Sequence, residues 1–177
     1  PQATMLGARQ ESWLTAGLLR SETQWNVLAQ QVMMARVDRL PGEGGHYSMD
    51  QWSGYDVPRK RLLQFLKDRQ IPNPVVLTGD IHTNYVNDLK VDFDRPELAT
   101  IATEFVGTSI SSAGDGMEKA AYTDTMLAEN EFVRFHNAER GYVSCTVTPD
   151  TWRADYQVVP FVTRRGAPLI TRKSFVV

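Results

Sequence analysis

The segment that offers the most chemistry is Val75-Val76-Leu77-Thr78-Gly79-Asp80-Ile81-His82. A short apolar run with strand character ends in a glycine, and a carboxylate and an imidazole follow two residues apart. In an extended backbone residues i and i+2 share a face. Asp80 and His82 are therefore expected to approach one metal centre from the carboxyl end of the strand, with Gly79 supplying the tight backbone. A hard carboxylate beside an imidazole suits iron, manganese or zinc, with calcium at the carboxylate. Alone the tetrapeptide is a weak signal, because a turn aspartate followed by a surface histidine has the same spacing.

Other residues have two readings each. In Asp50-Gln51-Trp52-Ser53-Gly54-Tyr55, Trp52 and Tyr55 either wall a substrate cleft, with Asp50 ordering a ligand or a water, or anchor a long loop that Asp50 caps. The weight of aromatic burial favours the anchor. Arg59 either attracts phosphate or is solvated or ion-paired. Glu104, on an expected strand, needs a partner given the cost of burying a charge. It either holds a metal ligand from behind or pairs with an arginine. Thr83 and Asn84 follow the dyad and either line the site or, for Asn84, make a turn hydrogen bond. His46 sits in a glycine-rich loop and is expected to face solvent. Cys145, between Val143 and Val147, reads as a small core hydrophobe. As the one cysteine of the chain, it forms neither an intramolecular disulfide nor a cysteine cluster.

The elements that must position these groups follow from periodicity. Leu6, Trp13, Leu14 and Leu18 fall on one side of a helix over residues 8–21. A short strand is expected at 25–29. Residues 38–55 form a loop rich in Gly, Asp, Ser and Pro, and loops of that length are usually functional. Asp56 offers an N-cap and Pro58 suits the first turn of a helix to about Gln70. Leu62, Leu63, Phe65 and Leu66 face inward there, and Pro72 and Pro74 stop the helix. Strands are expected at 74–78, at 85–93 with one face buried, and at 98–106. A Ser/Gly loop over 107–116 leads to a helix over 117–130. Pro149-Asp150 turns a hairpin between 142–148 and 152–159, and 172–177 forms a last strand. The fold class is α+β, with sheets packed face to face and helices outside.

At 177 residues one domain is the prior. With 42% hydrophobic and 23% charged residues the composition is that of an ordinary globular protein. A net charge of -2 without a basic block argues against nucleic acid as a main partner. No apolar run reaches the ~18 residues of a membrane span. The chain begins at Pro1 without a signal peptide, which reads as a cut.

One ordered series of motifs runs through nearly the whole chain. It comprises Gly7-x-x-Gln10-x-x-Trp13-Leu14, Trp25-Asn26-Val27, Asp50-x-Trp52-x-Gly54-Tyr55 with Arg59, and Leu77-Thr78-Gly79-Asp80-Ile81-His82-Thr83-Asn84. Glu104-Phe105-Val106, Thr108-Ser109-Ile110-Ser111-Ser112, and Arg140-Gly141-Tyr142 leading to Val147-Thr148-Pro149-x-x-Trp152 complete it. The series resembles the PhoD-like alkaline phosphatase and phosphodiesterase family, of the calcineurin-like metallophosphoesterase superfamily. Relatives with Asn-Pro-His before Arg-Gly-Tyr differ from this chain, which has Asn130-Glu131-Phe132, so the resemblance carries no histidine role onto His136.

The resemblance implies a two-sheet β-sandwich flanked by helices, with Asp80 and His82 as metal ligands and metal-assisted hydrolysis of phosphate mono- or diesters. It implies calcium and iron as cofactors, with other divalent metals as alternatives, and a periplasmic or extracellular location. It also implies that residues 1–177 are the C-terminal portion of one catalytic domain. The remaining ligands, and the main partner of this chain besides substrate, would then belong to an N-terminal portion, and the fragment alone would be inactive. The alternative is a non-catalytic β-rich interaction domain derived from the same fold.

Overall fold

Val75 and Val76 are neighbours on one strand and point to opposite faces, yet both are fully buried. The sheet that carries them therefore has a cover on each side. The computed structural model describes residues 3–40, 42 and 44–177, so Pro41 and Glu43 of the expected long loop, and Pro1 and Gln2, lie outside the described residues. A five-stranded sheet is built from β1 (Asn26–Ala29), β2 (Pro74–Thr78), β3 (Asn84–Leu89), β4 (Ala102–Val106) and β5 (Val133–Asn137), in the order β1-β2-β4-β3-β5. β1, β2 and β4 run parallel, and β3 is antiparallel to both β4 and β5. The second sheet is antiparallel, β6 (Arg140–Val147), β7 (Trp152–Val159) and β8 (Ile170–Val176).

Val75, Val86 and Phe105 of the first sheet pack on Trp152, Ala154 and Tyr156 of the second. Tyr156 Oη donates to the carbonyl of Tyr85 at 2.5 Å, which ties the layers together. The other face presents Val76, Tyr85, Leu89 and Val106 to helices α1 (Gly7–Leu19), α2 (Asp56–Asp68) and α3 (Thr123–Glu129), through Leu18, Leu62, Leu63, Leu66 and Met126. Each large apolar side chain so buried stabilises the fold by roughly 1.5–3 kcal/mol. The architecture is the expected sandwich of two sheets with helices outside.

Several elements differ from expectation for identifiable reasons. Trp13 is 70% exposed rather than packed. Asp56 lies in the first turn of α2, where it pairs with Arg59, and Tyr55 is the N-cap. The helix expected over 117–130 shrinks to α3, because Met117 bridges to Ala138. β3 ends at Leu89, carries a bulge between Val86 and Asn87, and is buried on both faces rather than one. β5 was not expected at all, since its buried His136 and Asn137 break the apolar pattern.

Cys145 is exposed, not core. Its strand, β6, is an edge, and the sandwich is open on that side. Leu77 and Phe105 of one sheet and Val143 and Cys145 of the other line an open cleft of 300 Å³. Trp25, just before β1, donates its Nε1 proton to the carbonyl of Thr148 at 2.8 Å and meets Trp152 edge-on at 5.8 Å. These contacts bring the β1 edge beneath the β6–β7 turn, so the free edges β1 and β6 lie on one flank.

Candidate active site

Parallel strands deliver their loops to one edge of a sheet, and ligands of open α/β sheets bind in the crevice there. The carboxyl ends of β1, β2 and β4 are tied side by side. The amide of Gln30 donates to Leu77 at 3.0 Å, that of Gly79 to Gln31 at 3.2 Å, and that of Gly107 to Thr78 at 2.9 Å. The Asp80-Ile81-His82 segment leaves this edge as a bend.

The backbone of the dyad is not extended. Asp80 has φ +66° and His82 φ +60°. The amide of Ile81 donates to the carbonyl of Gly79 at 2.8 Å, a γ-turn centred on Asp80 in its rarer, strained hand. Gly79 is absent from the positive-φ residues, so the conformational demand expected of the glycine falls on the two ligand-type residues instead. Non-glycine residues in this region cost on the order of 1–3 kcal/mol each, and such strain clusters at functional sites. Both Asp80 and His82 are exposed.

Backbone hydrogen bonds hold the bend. The carbonyl of His82 accepts from Thr108 Oγ1 at 3.0 Å and from Arg140 Nη1 at 2.9 Å. Arg140, buried at the start of β6, also donates from Nε to the carbonyl of Gly114 at 2.9 Å. It thereby clamps the Ser/Gly loop and the bend at once. Gly141 beside it must lack a side chain, since a Cβ there would lie 1.9 Å from the Gln157 carbonyl oxygen.

Asn84 is fully buried at the start of β3. Its Oδ1 accepts from the Thr108 amide at 3.1 Å and its Nδ2 donates to Asn137 Oδ1 at 3.0 Å. It braces the loop behind His82 and lines no surface. Glu104 is fully buried on β4. Its carboxylate accepts from the amides of Met34 at 2.6 Å and Ala35 at 3.0 Å and from Asn87 Nδ2 at 2.9 Å. Burial pushes its pKa up, against the pull of these donors and of the Arg59 charge. Glu104 thus staples the turn after β1 to the sheet, through amides and not through an arginine.

Arg59 is also fully buried, paired with Asp56 and stacked 4.7 Å over the Phe93 ring. Burial depresses its pKa to about 10. Trp52 is buried and donates from Nε1 to Gln30 Oε1 at 3.0 Å, so it anchors the turn after β1. Tyr55 is half-buried at the end of the 3-10 turn Trp52–Tyr55. Asp50 is exposed and accepts from Ser48 Oγ at 2.6 Å, which lowers its pKa. Of the sequence candidates, Asp80 and His82 lie in the bend and Asn84 follows it at the start of β3, whereas Trp52 and Glu104 brace the turn after β1 and Asp50 and Tyr55 flank or end the 3-10 turn. His46 is exposed, as expected.

A cleft of 350 Å³ opens beside the bend, lined by Arg39, Leu40, Ile81, Thr83, Tyr85 and Tyr122. Its walls are largely apolar, with Arg39 as its one cationic side chain. Behind it His136 lies against the rings of Tyr85 at 4.7 Å and Tyr122 at 5.4 Å, with Nδ1 2.9 Å from Thr123 Oγ1. Burial lowers its pKa to about 4, so it is neutral at pH 7. Sequence reasoning assigned no site role to Arg39, Tyr122, Asn137, Glu139 or Arg140. The available signal was the polar run Asn137-Ala138-Glu139-Arg140 inside a segment of buried residues.

Among the described residues no group of three or more His, Cys, Asp or Glu side chains is placed to hold a metal ion. No helix among the described residues is long and apolar enough to cross a membrane. The PhoD-like phosphatase family matches residues 1–156. Alkaline phosphatase D of Bacillus subtilis (strain 168) is 48% identical over 176 residues, which is 99% of this chain and 30% of that protein. A solved structure of PhoD is similar with a TM-score of 0.95 at 48% identity, over 99% of this chain and 34% of its own. The chain therefore spans less than half the length of the relatives it matches.

Proposed function

We propose, from the premise that this chain belongs to the PhoD-like phosphatase family, that it is the C-terminal portion of a catalytic domain hydrolysing phosphate mono- or diesters with metal assistance. Asp80 and His82 supply two of its metal ligands. The observation that carries this reading is the bend itself. Two ligand-type side chains sit exposed at the carboxyl edge of parallel strands, on a left-handed backbone of the strained kind that clusters at functional sites.

The donor set fits part of a metal centre. One carboxylate and one imidazole suit iron, zinc or manganese, with calcium favoured at the carboxylate, and calcium with iron is the pair that family membership suggests. Two ligands do not complete a site, and the described residues offer no cluster of three. The remaining ligands are assigned to a portion of the protein N-terminal to this chain, which also covers the open β1/β6 flank. Bound metal would neutralise phosphoryl charge and make a water acidic enough to attack phosphorus. The chain's own residues do the rest. Asp80 and His82 hold their donors at fixed positions, Arg140 and Thr108 keep the bend from relaxing, and the Arg39/Tyr122 cleft receives the organic group of the ester. A periplasmic or extracellular location accompanies this reading.

The test is His82→Ala in the complete protein, with activity, metal content and folding measured together. Loss of several orders of magnitude in turnover with folding retained is expected, since one ligand accounts for several kcal/mol of charge stabilisation. Near-normal turnover would overturn the assignment. A complete protein with no hydrolytic activity and no bound metal would favour a non-catalytic interaction domain.

A further inference from the structure

Behind the bend runs a continuous chain of polar groups, buried at its centre, that begins on the last strand. Arg172 of β8 binds Glu139 in a two-pronged pair, Nε to Oε2 and Nη2 to Oε1, both at 2.8 Å. Glu139 Oε2 also accepts from Asn137 Nδ2 at 2.9 Å. Asn137 Oδ1 accepts from the amide of Glu139 at 3.1 Å and from Asn84 Nδ2 at 3.0 Å. Asn84 Oδ1 takes the Thr108 amide, and Thr108 Oγ1 donates to the carbonyl of His82. Asn84, Asn137 and Glu139 are 0%, 1% and 4% exposed.

The direction of this chain is set jointly by the Glu139 carboxylate, which only accepts, and by the backbone groups of Glu118, Glu139 and Thr108. Asn137 turns its NH2 group toward two acceptors, the Glu139 carboxylate and the carbonyl of Glu118 at 3.0 Å, and its own carbonyl toward the Glu139 amide and Asn84. Asn84 must then turn its NH2 toward Asn137 and its carbonyl toward the Thr108 amide. Either amide flipped would set NH2 against NH2 or oxygen against oxygen between two buried side chains, where an unmet polar group costs about 1–3 kcal/mol. The hydrogen-bonded chain from Glu139 thus ends at the carbonyl of His82, on a bend with left-handed backbone.

We propose that Glu139 is a positioning residue for the Asp80–His82 bend, acting through Asn137, Asn84 and Thr108. The inference rests on the reading of that bend as metal-ligating. The role is to hold the two donors in their left-handed backbone before metal arrives, so that binding does not have to provide the ordering energy.

The test compares Glu139→Gln, Asp80→Ala and Leu63→Ala in the complete protein. Leu63→Ala opens the distant core and serves as a packing control. Three quantities are read: calcium and iron affinity, kcat separately from KM, and hydrogen exchange of the amides from Ile81 to Asn84 in metal-free protein. Glu139→Gln is expected to weaken metal affinity roughly tenfold to a hundredfold, as supporting partners of ligands commonly do. It should lower kcat more than it raises KM, and speed exchange across the bend. Leu63→Ala should lower Tm and leave metal affinity alone. If Glu139→Gln lowers Tm as Leu63→Ala does while affinity and bend exchange stay at wild-type values, Glu139 is structural and the inference is overturned. Should Glu139→Gln fail to fold, Asn84→Asp breaks one link and leaves the Arg172 pair intact, and the same signature is required of it. Unchanged metal affinity in Asp80→Ala would instead sink the metal-site reading, whereas the exchange result in metal-free protein judges the positioning role by itself.

Discussion

Arg140 Nη1 donates to the backbone carbonyl of His82 at 2.9 Å, linking the second sheet to a bend at the edge of the first across 58 residues of sequence. A hydrogen bond from a charged donor is worth about 1.5–3 kcal/mol, comparable with the strain of one left-handed residue. The two terms oppose each other at the same peptide. Removing the clamp should let the bend relax toward ordinary backbone.

Arg140→Ala in the complete protein is therefore expected to lower stability by about 3 kcal/mol, since the Gly114 carbonyl loses its donor and the His82 carbonyl keeps only Thr108. It should also accelerate proteolysis within the Ser/Gly loop and the bend. Denaturant melts and limited proteolysis check this. A variant as stable and as resistant as wild type would show that the bend holds itself.

Trp52 separates a core role from a pocket role. Its burial and its hydrogen bond to Gln30 point to stability, and Trp52→Ala should cost ~3–5 kcal/mol as a large buried aromatic is lost. Tm and steady-state kinetics measured on the same preparation distinguish the two roles. An unchanged Tm with a damaged KM or kcat would place the ring in the substrate cleft instead.

His136 gives a pH dependence of known sign. Burial depresses its folded pKa to about 4, below an unfolded value near 6.5, so between these values the unfolded chain binds the extra proton. Stability then falls as pH drops from about 6.5 toward 4, by up to ~3 kcal/mol in all. His136→Phe keeps the aromatic contacts and removes the titration. The stability difference between wild type and this variant should shift across that window in favour of the variant, and a constant difference would show that His136 is not buried in solution.

The open flank predicts association. Val143, Cys145 and Phe105 line the exposed cleft, and β6 is an unpaired edge, the kind of edge that recruits another strand. Residues 1–177 expressed alone are expected to aggregate or to pair with an N-terminal portion of the same protein. Native mass spectrometry decides this. A monodisperse monomer with a cooperative melt would mean that the flank is self-sufficient and that the fragment reading fails.

Local chemistry was enough for much of the architecture. β2 ends at Thr78 where the apolar run stops, and the β6–β7 hairpin turns at Pro149-Asp150, because strand period and turn preference are encoded within a few residues. The Asp80/His82 dyad was visible for the same reason, as two ligand-type side chains directly after a strand. The motif series carried the family, which no single element did.

Partners distant in sequence decided the rest. Glu104 and Asn84 meet amides far along the chain, so nothing local could choose between a metal-supporting role, an arginine partner and a turn. Cys145 is exposed because β6 is an edge, and edge position belongs to the sheet and not to the strand. The left-handed backbone at Asp80 and His82 was unreadable for a further reason. Local sterics place such a demand on Gly79, whereas it falls one and three residues later, in a segment held by the hydrogen bonds from Thr108 and Arg140 to the His82 carbonyl.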